Sequence, residues 1–331
     1  MQRFKAFRIH NDDQGYRAGL EEITLGDLMP GEVLIECRFS SVNYKDALAA
    51  SPTGKVVRHF PINGGIDCAG AVVESTDARF RPGDEVLATG YGLGVSHDGG
   101  YARYVRLPAV WLLPMPAYMG PFHTMVLGTA GFTAAMCVDK IVSHGVKPEA
   151  GEILVTGATG GVGSIAVALL AKFGYNVVAA TGKVESAARF LTELGAASII
   201  SREDASDDSG RPLLRPRWAG VVDTVGGDML ATALASAERD AAISICGLVA
   251  SATLQTTVLP FILRGITLYG IDSVEISLER KKRIWGLIAG SYKLENLEAL
   301  VREVGLEQLS PEIDKILAGG QTGRILLKHN F

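Results

Sequence analysis

Cysteine is scarce in the sequence, and its spacing is typical of neither a disulfide framework nor a metal site. The four cysteines of the 331-residue chain lie far apart, without a Cys-x-x-Cys motif or a Cys/His pair at ligand spacing: Cys37, Cys68, Cys137 and Cys246. Small disulfide-rich scaffolds and structural zinc sites both need clustered cysteines. The sequence therefore predicts no disulfide and no bound metal, and it favours a reducing compartment such as the cytoplasm.

The sequence also lacks a large excess of either charge. Lys and Arg number 32 against 36 Asp and Glu, which gives a formal net charge of −4. A protein whose surface attracts nucleic acid as a whole carries a large positive excess. We therefore expect no nucleic-acid partner. Hydrophobic residues at 47% and charged residues at 21% are ordinary for a globular protein.

No segment has the pattern of a membrane-spanning helix. Three long stretches, 107–138, 153–171 and 241–263, contain no Asp, Glu, Lys or Arg. The first contains four prolines, the second a glycine cluster and the third several polar side chains, which are all unfavourable in a lipid-facing helix. The first residues of the chain carry charges where a signal peptide has an apolar core. We expect a soluble protein without a membrane partner.

Glycine is abundant, and the pattern around the glycines divides the chain into two kinds of structure. Residues 1–123 contain short apolar or alternating runs between Gly and Pro, which are typical of a β-rich domain. From residue 124 apolar strands alternate with helices, which is typical of a parallel, doubly wound sheet. We predict a β-rich domain over 1–123 completed by 275–331, with a last strand at 324–330, and an α/β domain over 124–274.

One complete βαβ unit of about 30 residues lies in the second region, ILVTGATGGVGSIAVALLAKFGYNVVAAT (153–181). A helix that begins after a glycine loop presents free backbone N–H groups and the positive end of its dipole, and glycine lets a pyrophosphate approach the main chain. Glycines also form plain tight turns. Here the loop has a strand before it, a helix after it and a second strand at the right distance. This combination predicts a dinucleotide site.

The end of the second strand in this unit indicates which nucleotide binds. NAD-selective sites place an acidic residue there, about 20 positions after the glycines, to hold the 2′-hydroxyl group. This chain has Thr181, Gly182 and Lys183 instead, and Arg202 follows the next strand. A hydroxyl group and two cations suit a 2′-phosphate. Lys183 alone would be read as a solvated charge at a helix start, but with the acid missing the residues predict NADPH.

Seven segments spread along nearly the whole chain resemble one protein family. They are SSVNYKDALA (40–49), FPINGGIDCAGAV (60–72), LGTAGFTAAMCV (127–138), EILVTGATGGVGSIAVALLAKFGY (152–175), WAGVVDTVGG (218–227), LPFILRGITLYGIDSV (259–274) and GR (323–324). The chain resembles the medium-chain dehydrogenase/reductase superfamily and, within it, the quinone-oxidoreductase-like acryloyl-CoA reductases. The resemblance implies an α/β protein with a GroES-like catalytic domain and a Rossmann cofactor domain.

The resemblance also implies a zinc-independent enzyme. Zinc-dependent alcohol dehydrogenases of the superfamily have Cys at the position of Asn43, and His-Glu at the positions of Ile66 and Asp67. A catalytic zinc ion needs about three N, S or acidic ligands, which Asn43 and Ile66 do not provide. The zinc-free branch reduces a C=C bond conjugated to a carbonyl group. The nicotinamide gives hydride to the β-carbon, and fixed donors stabilise the enolate.

The resemblance implies specific roles for residues of both domains. Asn43 and Tyr44 are the predicted catalytic donors, although Tyr44 could instead be a half-buried residue that caps the cleft. Asp46 is expected to fix the loop through backbone hydrogen bonds. The predicted cofactor contacts are Tyr44, Thr159, Gly160, Gly161, Val162, Thr181, Gly182, Lys183, Arg202, Leu248, Ile262 and Ser273. For Leu248 and Ile262, ordinary core packing would accompany the contact, and His97 and His123 are interpreted as loop or packing residues.

Three hypotheses remain open at this point: an acryloyl-CoA reductase, an NADPH:quinone oxidoreductase that acts on quinones or enones, and a non-catalytic nucleotide-binding protein. Cations that could bind the phosphates of a coenzyme A thioester are present at Lys55, Arg58 and His59, although an exposed basic cluster is usually just a solvated surface. The segment ITLYGI (266–271) resembles the edge strand that pairs across subunits in the superfamily, so we predict a homodimer.

Overall fold

The computed structural model describes residues 3–330 of the chain. In chain order its strands and helices are β1 Arg3–Asp12, β2 Gly15–Thr24, β3 Val33–Val42, α1 Tyr44–Ala50, β4 Ile62–Asn63, β5 Asp67–Ser75, β6 Glu85–Thr89, β7 Tyr104–Leu107, β8 Leu113–Pro114, α2 Pro121–His144, β9 Glu152–Thr156, α3 Gly161–Lys172, β10 Asn176–Ala180, α4 Val184–Glu193, β11 Ser198–Ile200, β12 Trp218–Asp223, α5 Gly227–Ala235, β13 Ala237–Ile245, α6 Leu259–Arg264, β14 Thr267–Gly270, α7 Leu278–Ala289, β15 Val301–Val304, α8 Leu309–Leu317 and β16 Arg324–Lys328.

The described residues pack as two compact units. The first unit runs to Thr129 and resumes at Ser273, and the second unit is Ala130–Asp272. The first unit contains two sheets. One has three strands in the order β2-β1-β4, and the other has the order β15-β16-β3-β5-β6-β8 with β7 paired to β3. The prediction of a β-rich region at the start of the chain is therefore confirmed.

The last strand joins the sheet of the first unit, as the sequence predicted. Strand β16 pairs antiparallel with β3, and Ile325 lies opposite Val42. This register brings Arg324, the first residue of β16, next to the end of β3 and the start of α1. On the neighbouring side of β3, strand β5 begins at Asp67. The sheet therefore places the ends of three strands around one point, where the polar residues described below meet.

The second unit is a six-stranded parallel sheet in the order β11-β10-β9-β12-β13-β14. Helices cover it, and its strands are buried apolar runs, including Leu154, Val178, Val221 and Ile243. This is the order of a doubly wound Rossmann sheet, whose ligands bind at the carboxyl ends of the strands. The predicted fold class is confirmed. Strand β14, part of the segment predicted to pair between subunits, lies at the edge of this sheet.

Helix α2 is the one described helix that is long and apolar enough to cross a membrane. It begins at Pro121, and 78% of its most apolar window is buried inside the protein. Burial of this kind is typical of the core helix of a globular protein, in which apolar side chains pack against other apolar side chains.

Two elements differ from the sequence prediction. The pattern of residues 228–238 predicts a helix that runs to Glu238, but helix α5 ends at Ala235, because Ala237 already belongs to β13 and lies opposite Trp218 of β12. Pairing with a neighbouring strand has overridden the helix propensity of this Ala- and Glu-containing segment. The charged pattern after residue 275 predicts two helices before the last strand, but strand β15 lies in this region, and of its four residues only Val304 is buried. A short edge strand with so few apolar residues gives almost no signal of alternation.

Candidate active site

A buried carboxylate, Asp67, is the centre of the polar cluster in the first unit. Its side chain is completely shielded from solvent. Oδ2 accepts hydrogen bonds from Asn43 Nδ2 (2.8 Å), from the backbone N–H of Thr129 (2.9 Å) and from the Ser41 hydroxyl group. Oδ1 accepts a hydrogen bond from Thr129 Oγ1 (2.6 Å). Four donors from two segments of the chain, residues 41–43 and residue 129, therefore converge on one carboxylate.

Gly128 makes this convergence possible. Its backbone interrupts helix α2 with φ 50° and ψ −153°. A Cβ atom at this position would lie 2.6 Å from Asp67 Oδ2, so a side chain would displace the carboxylate. Only glycine adopts a positive φ without strain and also leaves this space. The break turns the amide of the next residue, Thr129, toward Asp67.

Arg324 supplies the positive charge of the cluster. It is buried, and its guanidinium group donates to the carbonyl oxygen of Val126 (2.8 Å) and to Asn43 Oδ1 (3.3 Å). Within residues 3–330, Nη2 of Arg324 is buried without a hydrogen-bond partner. Burial lowers the pKa of the guanidinium group, and the nearby carboxylates oppose that shift. The sequence pointed to Arg324 only as part of the Gly-Arg pair at 323–324.

A second buried carboxylate, Asp46, holds the loop at the start of α1. Oδ2 accepts the backbone N–H of Asn43 (2.8 Å), and Oδ1 accepts the backbone N–H of Ile66 (2.8 Å). The expectation that Asp46 fixes the loop through backbone hydrogen bonds is confirmed. Burial, and after it the charge of Asp67, raise the pKa of Asp46 to about 7, although the hydrogen bonds from Asn43 and Ile66 oppose the shift.

The raised pKa of Asp46 predicts a pH-dependent stability. Between about pH 4, where an aspartate ionises in an unfolded chain, and pH 7, the folded protein keeps a proton that the unfolded chain releases. The free energy of unfolding must therefore fall as pH rises through this window and become level above it. Urea denaturation at pH 5 and pH 8 would measure this decrease. Between the two pH values, we expect the free energy of unfolding to decrease by about 2 kcal/mol more in the wild-type protein than in Asp46→Asn. Equal pH slopes in the two proteins would contradict the assignment.

The two predicted catalytic residues have different surroundings. The Asn43 amide nitrogen donates to Asp67 and contacts Asp46 Oδ2 at 3.2 Å, while its oxygen accepts from Arg324. Tyr44 is half-buried and packs against an apolar cluster of the first unit, and no side-chain hydrogen bond of residues 3–330 involves its hydroxyl group. Of the two residues, Tyr44 has the available donor, and Asn43 is engaged in the cluster. Their catalytic roles stay predictions.

In the second unit, the predicted pyrophosphate residues lie at the N-terminus of α3. Gly160 is the N-cap residue, Gly161 and Val162 begin the helix, and no side chain of the described residues caps it. The first N–H groups of a helix have no partner within the helix, so this end can bind an anion. Thr159 lies just before it, and its hydroxyl group is 3.2 Å from that of Thr181.

The residues predicted to bind a 2′-phosphate lie together at the end of β10. Thr181 Oγ1 accepts the backbone N–H of Lys183 (3.2 Å). The guanidinium group of Arg202 lies over Gly182, since a Cβ atom on this glycine would be 2.8 Å from Arg202 Cζ. The Thr181 hydroxyl group, the backbone of Lys183 and the Arg202 guanidinium group therefore lie around Gly182 at the end of β10. The sequence prediction named this set, and the structure brings it together.

The structure corrects the prediction for Leu248 and Ile262, the residues for which core packing was expected. Their side chains are 56% and 68% exposed, so the packing interpretation is wrong. Leu248 follows the end of β13, beyond the buried strand, and Ile262 lies on the outward side of the short helix α6. Their predicted contact with the cofactor stays a prediction. Ser273 is buried and is the residue at which the chain re-enters the first unit.

The two histidines singled out in the sequence have structural surroundings. His97 is buried against Trp111, and its Nε2 lies 2.8 Å from the carbonyl oxygen of Pro30. His123 is half-exposed, packs edge-on against Phe122 and lies 3.8 Å from a surface glutamate. Both residues are accounted for by local packing, as the sequence predicted.

Sequence models of two families match the chain. Residues 29–117 match the alcohol dehydrogenase GroES-like domain, and residues 161–289 match the zinc-binding dehydrogenase model. The chain is 43% identical to the putative quinone oxidoreductase YhfP of Bacillus subtilis, over 98% of both chains. It is 42% identical to the acrylyl-CoA reductase AcuI of Ruegeria pomeroyi, over 99% of both chains.

Solved structures of relatives contain nicotinamide cofactors. The Escherichia coli K-12 protein YhdH with bound NADPH is 41% identical, with a TM-score of 0.94 over 98% of this chain and 100% of that chain. The structure of Bacillus subtilis YhfP has NAD bound and is 42% identical, with a TM-score of 0.95 over 99% of this chain and 100% of that chain.

The residues at the centre of the polar cluster do not fit a catalytic zinc ion, although the name of one matching family model refers to zinc. Asn43 donates to Asp67, and both lie beside the guanidinium group of Arg324, a cation that would repel a metal ion. No group of three or more His, Cys, Asp or Glu residues within 3–330 is arranged to hold a metal ion. The position is filled by a hydrogen-bonded charge cluster, and no step of the chemistry below uses zinc.

Proposed function

Since the chain belongs to the quinone-oxidoreductase-like acrylyl-CoA reductases of the medium-chain dehydrogenase/reductase family, we propose that it reduces acryloyl-CoA to propionyl-CoA with NADPH. The observation that carries the cofactor assignment is the group formed by Thr181, Gly182 and Arg202 at the end of β10. It offers a hydroxyl group and a guanidinium group where an NAD-selective site has a carboxylate.

The residues at the nucleotide edge fit NADPH. The uncapped start of α3 at Gly160, Gly161 and Val162 would hold the pyrophosphate, and Lys183 and Arg202 would hold the 2′-phosphate. NADPH supplies a hydride for the β-carbon of the alkene, and a proton completes the reduction at the α-carbon. The protein's own contribution is to orient the reactants and to stabilise negative charge on the carbonyl oxygen.

We assign the stabilising hydrogen bond to the Tyr44 hydroxyl group. Its neighbour Asn43 is held by Asp67, Asp46 and Arg324, so the loop that carries Tyr44 has a fixed backbone. A donor that is positioned before the reaction costs little reorganisation when charge develops. Asn43 is then a positioning residue that acts through this loop.

Tyr44→Phe is expected to lower kcat for acryloyl-CoA about tenfold, which corresponds to the loss of one hydrogen bond of about 1.4 kcal/mol. The KM for NADPH should change less than twofold. Steady-state kinetics would measure both values. Tyr118→Phe is the matched control, because this tyrosine is 98% exposed in the same unit. A wild-type kcat in Tyr44→Phe would remove the residue from the mechanism.

The proposed activity is tested by the decay of NADPH absorbance with acryloyl-CoA, with a simple quinone and without an acceptor. Consumption with the thioester supports the proposal. Consumption with the quinone alone would favour an NADPH:quinone oxidoreductase, the second candidate, which the 43% identity to the Bacillus subtilis relative favours. No consumption with either acceptor would favour a nucleotide-binding protein without catalysis.

We further propose a cytoplasmic homodimer without nucleic-acid or membrane partners. The exposed edge of β14 supports pairing with a second copy, because an unpaired strand edge presents free backbone N–H and C=O groups. Light scattering that gives a monomer mass would contradict it. We also propose that residues 1–123 and 275–331 form the catalytic domain and that residues 124–274 form the cofactor domain.

A further inference from the structure

The loop between α1 and β4 carries a cluster of positive charge. Residues 51–61 contain no Asp or Glu, and Lys55, Arg58 and His59 are all exposed. The loop follows α1 directly, and α1 begins at Tyr44. A seven-residue helix is about 10 Å long, so the cluster lies on the same segment as the proposed catalytic tyrosine but well separated from it.

The backbone of this loop is anchored, so the direction of the cations is fixed by packing. Val56, Val57 and Phe60 pack against an apolar cluster that contains Ile9 and Ile62. The backbone N–H of residue 58 donates to the carbonyl oxygen of residue 95 (2.9 Å), which ties the loop to a second loop of the same unit. The apolar side chains face the protein, and the three basic side chains between them face solvent.

The three basic side chains have no acidic partner. None of them lies within 4.0 Å of a carboxylate of residues 3–330. Some exposed arginines elsewhere in the unit are paired, for example Arg79 with Asp77 at 2.7 Å. Unpaired cations on an anchored loop raise the local concentration of an anionic ligand, and Arg and Lys both bind phosphate groups.

We propose that Lys55, Arg58 and His59 bind the phosphate groups of the coenzyme A part of the substrate, an inference that rests on the proposed reduction of acryloyl-CoA. The thioester carries its reactive alkene at one end of the long pantetheine arm and its phosphates at the other. The segment 44–59 offers the matching arrangement, with Tyr44 at one end and the cations at the other. The loop therefore selects a coenzyme A thioester over a small uncharged enone or quinone.

Two substrates that share the acryloyl-pantetheine part, of which only one carries the phosphorylated adenosine end with its phosphates, test the proposal in the wild-type protein. At saturating NADPH, we expect kcat/KM for acryloyl-CoA to exceed that for acryloyl-pantetheine by at least tenfold. Rising ionic strength should reduce this ratio, because salt screens exposed charges. Equal kcat/KM values for the two thioesters would overturn the phosphate site and leave the reductase function intact. Failure to reduce either thioester would instead refute the proposed function itself.

The variant Lys55→Gln with Arg58→Gln assigns the effect to this loop. We expect its KM for acryloyl-CoA to rise about tenfold. Its kcat/KM for acryloyl-pantetheine should stay within twofold of wild type, and so should its kcat/KM for a quinone if the wild-type protein reduces one. The matched control is Arg81→Gln with Lys328→Gln. Arg81 lies in the β5–β6 turn, away from Asp67, and Lys328 ends β16, away from Arg324. A wild-type KM for acryloyl-CoA in the loop variant would overturn the proposal.

Discussion

Replacing Asp67 with alanine is expected to lower the free energy of unfolding by about 3–5 kcal/mol, which is a large part of the stability of a protein of this size. The carboxylate accepts four hydrogen bonds inside the first unit and faces the buried guanidinium group of Arg324. Without the carboxylate, less negative charge offsets the buried positive charge of the guanidinium group, and the donors that bind Asp67 lose their acceptor. Both losses destabilise the folded state.

Thermal and urea denaturation would measure this effect. We expect the melting temperature of Asp67→Ala to fall by about 10 °C. Asp12→Ala is the control, because Asp12 pairs with Arg17 on the exposed surface, and such a pair contributes about 1 kcal/mol or less. A change in Asp67→Ala as small as that of the control would show that the cluster does not stabilise the fold.

A double-mutant cycle separates the charge pair from the other contacts. Asp67→Asn removes the negative charge at nearly constant size, and Arg324→Met removes the positive charge. Because each single variant leaves the other charge buried, the double variant should be destabilised by less than the sum of the two single effects. Strict additivity would show that the two side chains are not coupled.

The fold was accessible from the sequence because its signals are local. The β9-α3-β10 unit has strand, glycine loop, helix and strand within 30 residues, and apolar periodicity marks each element. Where pairing with a distant strand decides the structure, local signals fail. The end of α5 at Ala235 and the existence of β15 depend on partners far away in sequence.

The candidate site was only partly accessible for the same reason. Thr181, Gly182 and Lys183 are contiguous, so one turn of the chain was enough to predict that they contact the nucleotide. The polar cluster joins residues from positions 41 to 324, and a sequence gives no measure of such distances. The sequence drew attention to Asp67 only because zinc-dependent relatives have His-Glu at the positions of Ile66 and Asp67. Its role as the common acceptor became visible only through the meeting of β3, β5 and β16.

The last prediction concerns the choice between NADPH and NADH. The double substitution Lys183→Ala with Arg202→Ala should reduce kcat/KM for NADPH about 100-fold and leave the value for NADH within threefold of wild type. Each cation offers the 2′-phosphate a charge-assisted hydrogen bond, and the loss of one such bond costs about 1.5–3 kcal/mol. NADH has no phosphate at this position, so its binding does not depend on the two cations.

Steady-state kinetics with both cofactors would measure the preference. The comparison matters because two solved relatives, 41% and 42% identical to this chain, contain NADPH in one case and NAD in the other. Lys172→Ala with Arg189→Ala is the matched control in the same unit. Lys172 ends α3, about 18 Å from its N-terminus, and Arg189 is 91% exposed on α4. If the preference for NADPH survives in Lys183→Ala with Arg202→Ala, the 2′-phosphate does not bind at the end of β10. The lack of an acidic residue there would then reflect weak discrimination between the two cofactors rather than selection of NADPH.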